Sequence, residues 1–98
     1  MAKNANVTLP RGVWTQISAA STAITECFVQ NTGNNDIILQ GMATEAAPAG
    51  TVNTGVVLAP GVGHEAFVMA DIFKGVSSPA YLYALSVSHS GSVFISHA

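Results

Sequence analysis

The chain is predicted to be all-β: an antiparallel β-sandwich or small barrel of about seven or eight short strands. Three observations carry the prediction. Short apolar segments alternate between two faces along most of the chain. Clusters of Gly, Pro and Asn punctuate them roughly every eight to twelve residues. Charged residues make up 8% of a chain that is 49% hydrophobic, against a usual charged share of about 25%. The apolar fraction is that of a folded domain, and Ala, Ser, Thr, Gly and Asn stand where a charged shell would be. A length of 98 residues supplies one core, so 1–98 is expected to form a single β domain, with 1–8 as an extended N-terminal arm.

Val7-Thr8-Leu9 stops at Pro10, and Val13 to Ser18 follows with Val13, Thr15 and Ile17 on one face and Trp14, Gln16 and Ser18 on the other. This predicts two short strands, or one strand interrupted by Pro10. Residues 19–25 are small and weakly patterned, which suits a loop or a short strand. Glu26 to Gln30 reads as a strand, Asn31-Thr32-Gly33-Asn34-Asn35 as a turn, and Asp36 to Gln40 as the antiparallel partner in a hairpin.

Residues 43–54 combine Ala with Pro48 and Gly50 and predict a long surface loop. Gly55 to Leu58 is a strand closed by the Pro60-Gly61 turn, and Glu65 to Met69 is another. Asp71 to Gly75 fits a single helical turn or a further edge. After Ser77-Ser78-Pro79, the segment Ala80 to Ser88 sets Tyr81, Tyr83, Leu85 and Val87 against Leu82, Ala84, Ser86 and Ser88, as in a central strand. His89-Ser90-Gly91 then turns the chain into Ser92 to Ser96, predicting a closing hairpin.

These strands are expected to form two antiparallel sheets. Sheet edges are normally defended by Lys, Pro or inward charge, and this chain holds only 3 Lys and Arg residues. At least one edge or face is therefore expected to be covered by another subunit. The five acids Glu26, Asp36, Glu45, Glu65 and Asp71 and the bases Lys3, Arg11 and Lys74 are scattered, giving a net charge of -2. Without a basic cluster, nucleic-acid binding is not expected. No window reaches the roughly 18 apolar residues of a membrane helix. Met1 to Asn6 lacks the apolar core of a signal peptide, so secretion by the standard route is not expected, and the Asn6-Val7-Thr8 glycosylation match is taken as accidental.

Chemistry is sparse. His64, His89 and His97 have no ligand spacing and are expected as solvent-facing turn residues, so no metal is assigned. No Ser lies in a nucleophile elbow and no acids are paired, so no catalytic residue, cofactor or enzymatic activity is expected. The lone Cys27 is expected to be a buried thiol. Trp14, Tyr81 and Tyr83 are the candidates for a sugar-stacking platform.

Leu9-Pro10-Arg11-Gly12-Val13-Trp14-Thr15, then Phe28 to Ile37 with its Gln30-Asn31-Thr32-Gly33 turn, then Val57-Leu58-Ala59-Pro60-Gly61, resemble small structural proteins of tailed bacteriophages. The resemblance spans residues 7–95 and rests on turn motifs. It implies a virion component assembled in the host bacterial cytoplasm, a capsid decoration (cement) protein that pairs with itself and with the major capsid protein. A tail, neck or fibre module, bound to other tail proteins or to a glycan, is the alternative. The candidate assembly contacts are Lys3, Asn4, Asn6 and Val7 on the arm and Thr44, Glu45, Pro48 and Val52 on the long loop.

Overall fold

The computed structural model describes residues 2–48 and 55–98. Eight strands and one helical turn follow in the order β1 (Lys3–Leu9), β2 (Thr15–Gln16), β3 (Glu26–Asn31), β4 (Ile37–Met42), β5 (Val56–Leu58), β6 (Gly63–Val68), α1 (Met69–Ile72), β7 (Tyr81–Ser86) and β8 (Gly91–His97). They form two four-stranded sheets, β1-β8-β3-β6 and β2-β7-β4-β5. Every strand pair is antiparallel. The predicted two-sheet, all-β architecture is what the structure has; a helical turn does follow β6, but over Met69–Ile72 rather than Asp71 to Gly75, so Met69 belongs to it and not to the strand.

The wiring is more specific than a generic sandwich. Each step along the chain crosses from one sheet to the other, except β4 to β5, which share a sheet. That is the connectivity of an eight-stranded jelly roll. The connections β1–β2, β3–β4, β5–β6 and β7–β8 are short and lie at one end of the sandwich. At the other end lie 17–25, 69–80 and, of the β4–β5 connection, the described residues 43–48 and Gly55.

Both predicted hairpins are corrected by this wiring. β3 pairs with β6 and β8, while β4 pairs with β5 and β7, so the Asn31 turn is a crossover. The cause is Asn31 itself, which is 0% exposed. Its Oδ1 accepts the Gly33 N–H at 3.0 Å, and its Nδ2 donates to the carbonyls of Asn35 at 2.7 Å and Leu58 at 2.9 Å. The first contact closes an Asx turn, and the last ties the chain to β5 in the opposite sheet. β7 and β8 likewise lie in different sheets. There Ser86 Oγ donates to the His89 carbonyl, and Gly91 lies so close that a Cβ on it would stand 3.0 Å from Ser86 Oγ.

The interior takes Leu9, Val29, Val93 and Ile95 from one sheet and Ile37, Leu39, Leu82 and Ala84 from the other, with Ile17, Ile24, Met69 and Phe73 added by the long connections. Burying each large aliphatic side chain contributes about 1.5–3 kcal/mol, which is what holds two such small sheets together. Gly41 allows the Phe73 ring to lie on bare β4 backbone, since a Cβ there would meet Phe73 Cδ2 at 2.5 Å. Among the described residues every buried side-chain nitrogen and oxygen has a partner.

Candidate assembly surfaces

Lys3, Asn4, Asn6 and Val7 do not lie on a free arm. From Lys3 onward they belong to β1, paired with β8 from Lys3↔His97 to Leu9↔Gly91. Deleting residues 1–6 would strip most of a sheet strand, so such a truncation is not a neutral test of attachment. The strand alternates because Asn4, Asn6 and Thr8 face out, while Lys3, Ala5 and Val7 are half-buried and Leu9 is fully buried. Beside the outward Asn6 stands Phe94, whose ring meets Phe28 edge-on at 6.1 Å between centroids. Among the described residues no strand pairs with the far side of β1.

Thr44 and Glu45 are exposed and Pro48 is half-buried on the β4–β5 connection, whereas Val52 lies outside the described residues. Glu45 is tethered rather than free. Its Oε2 accepts the Ser21 N–H at 2.6 Å and Gln16 Nε2 at 2.9 Å, and Gln16 Oε1 accepts the Tyr83 hydroxyl at 3.3 Å. Close by, the Ala19 N–H donates to His97 Nε2 at 3.1 Å. Because His97 pairs with Lys3, residues 16–21 bring the start of β1 and the Thr44–Glu45 segment to the same end of the sandwich. Lys3 and the Thr44–Glu45 pair thus share one end of the sandwich, a tertiary fact with no signal in either segment, while Asn6 and Val7 lie further along β1.

The Ser21 amide, and after it the Gln16 side chain, hold the Glu45 carboxyl below its ordinary value of 4.5. A carboxylate whose folded value is lowered stabilises above its unfolded value and loses that contribution as pH falls through the folded one. The Ser21 amide resonance should therefore hold steady down to about pH 4.5 and shift below it. In Glu45→Gln that acid shift should be absent; NMR titration of both proteins checks it.

Trp14, Tyr81 and Tyr83 do come together, with Ile38, Leu85 and Met42, in a second apolar cluster. It lies on the face of the β2-β7-β4-β5 sheet turned away from the core, since Leu82 and Ala84 of the same strand point inward. The rings are not presented as a platform: Trp14 is 8% and Tyr83 5% exposed, and Tyr81 is half-buried. Burial, with lesser effects of Glu45 and Tyr81, raises the Tyr83 hydroxyl above its ordinary value. Beside the cluster, Asn34, Asp36, Val57, Val87 and Ser88 line an open groove of about 460 Å³.

Cys27 is 3% exposed, as expected, and burial first, then Glu26, pushes its thiol up to about 12. A thiol in that state reacts slowly, because the thiolate is the nucleophile. Native protein should remain unlabelled by a maleimide reagent at neutral pH over times in which urea-unfolded protein is labelled fully, a difference read by mass spectrometry.

The histidine expectation needs one correction. His89 is exposed, but His97 is buried, because β8 continues through it on the inward parity of Val93 and Ile95. With Nε2 accepting from Ala19, Nδ1 carries the ring proton and donates to the Ala98 carbonyl at 3.0 Å. The His64 side chain lies outside the described set. Among the described residues no group of three or more His, Cys, Asp and Glu side chains comes together as a metal site. Among the described residues no helix is long and apolar enough to cross a membrane. Comparison with family models, with curated proteins and with solved structures finds no match to this chain.

Proposed function

We propose that this chain is a non-enzymatic structural protein of a tailed-bacteriophage particle, a capsid decoration protein that sits over junctions between capsid subunits and resists their separation. The observation that carries the reading is jelly-roll wiring in a chain with 8% charged residues. Eight-stranded jelly rolls build many viral shell domains, and the fold supports the reading by that analogy. The surface chemistry adds to it. Small neutral side chains such as Asn4, Asn6, Thr8 and Thr44 permit close packing against a neighbour without desolvating charge.

In this reading the partners are other copies of the chain and the major capsid protein, and assembly takes place in the host bacterial cytoplasm. The end bearing Lys3, Thr44, Glu45 and Pro48 faces the shell. Each contact can be modest, because many identical contacts on a lattice act together. Counting copies tests this: quantitative mass spectrometry of purified particles should find on the order of hundreds of chains per particle, whereas about a dozen or fewer would assign the chain to a tail, neck or fibre.

A further inference from the structure

Among the described residues the sandwich has four strand edges, and three of them are poor templates for another strand. β2 has 2 residues and β5 has 3, and Pro60 follows β5 closely. The ladder between β3 and β6 shifts register between Cys27 and Val29, an irregularity of the kind that protects an edge. β1 is different. It runs 7 residues, keeps an unbroken register with β8, contains no Pro, and carries one charge, at its first residue.

We infer that β1 pairs with β1 of a second copy, antiparallel about a two-fold axis through Asn6, joining the two β1-β8-β3-β6 sheets into one. The inference rests on the assembly reading above and names one of its contacts. The strand's own chemistry selects a second copy. Pairing all 7 residues sets Lys3 opposite Leu9, Asn4 opposite Thr8, Ala5 opposite Val7 and Asn6 opposite itself.

Every residue then shares a face with its partner. Asn and Thr stay outside, and Ala, Val, Leu and the Lys stem stay inside. The two Lys3 ammonium groups fall at opposite ends of the ladder, so no like charges meet. An Asn amide both donates and accepts, so Asn6 can pair with its own copy. Ala5 and Val7, half-buried at the open margin of the core, gain cover on their exposed side. A two-fold contact of this kind closes on itself and gives a dimer rather than a fibre.

Cysteine scanning of the purified chain reads this register directly. Directly opposed residues in an antiparallel pair have Cα atoms about 4.5–5.5 Å apart, inside the span of a disulfide. Asn6→Cys should oxidise to a covalent dimer in air, without interference from the buried Cys27. Asn4→Cys and Thr8→Cys should each fail alone, being offset from their own copies by roughly 13 Å along the strand, but should cross-link to each other when mixed. Ala5→Lys, which points a charge into the joint, should convert a sedimenting dimer to monomer while leaving the β-type circular dichroism spectrum intact.

A wild-type monomer at high concentration, together with Asn6→Cys cross-linking no faster than a control Ser88→Cys, would overturn the pairing. The two readings fail separately. Many copies on particles without Asn6→Cys cross-links would sink the pairing alone, and cross-links in a chain absent from particles would sink the capsid reading alone.

Discussion

Replacing Asn31 by Asp is expected to destabilise the fold by about 3–5 kcal/mol, a large part of the roughly 5–15 kcal/mol that holds a typical domain. The side chain is fully buried and its amide nitrogen donates to two carbonyls, those of Asn35 and Leu58. A carboxylate of the same shape has no proton to donate and places negative charge against both oxygens. Only the Gly33 N–H remains as a favourable contact. Asn31→Leu adds no charge but leaves Gly33 N–H and the two carbonyls without this partner, so it should cost less, about 2–4 kcal/mol. Urea unfolding measures both; an Asp variant within about 0.5 kcal/mol of the wild type would mean that the Asn31 bonds do not hold the two sheets together.

Gly55→Ala should be the next most damaging change, at roughly 2–4 kcal/mol. Gly55 has φ 155°, and a Cβ built on it lies 2.1 Å from the Leu39 carbonyl oxygen and 2.8 Å from Ile38 Cγ2. Neither neighbour can give way easily, because both belong to β4, whose Leu39 pairs with Val56 next to the glycine. Relief would have to pull β5 off its sheet. Gly61→Ala is the control: φ is also positive, at 78°, but nothing lies within 4 Å of the added carbon. It should cost only the conformational penalty of about 1–2 kcal/mol. Thermal unfolding midpoints that rank the two the other way would refute the clash.

Much of the fold could be read from local pattern, and the failures have a common cause. The alternation through Tyr81 to Ser86 placed a central strand correctly, between β2 and β4. Asn31 to Asn35 was legible as a turn. Whether a turn closes a hairpin or crosses between sheets is decided by a partner distant in sequence, here Leu58, and turn chemistry alone does not contain it. One clue was present: Ile37, Ile38 and Leu39 are consecutive and all buried. Such a run marks a strand covered on both faces, by the core below and the Trp14–Tyr83 cluster above.

The start of β1 was hidden because Asn4, Ala5 and Asn6 have weak strand preference. Its order comes from β8, where Val93, Phe94 and Ile95 supply the partner surface. His97 is buried against expectation for a related reason: the inward parity of Val93 and Ile95 extends one step further than the apolar residues do. The meeting of Lys3, Ala19 and Glu45 at one end could not be read at all, because it exists only once the two sheets are stacked.

The most direct test of the assembly reading is to image intact particles at a resolution that places this chain. The expected result is a jelly roll repeated over the shell, with the end carrying Lys3, Thr44 and Pro48 against capsid subunit junctions. Density confined to a tail or neck, or chains standing alone with no repeated neighbour, would contradict it.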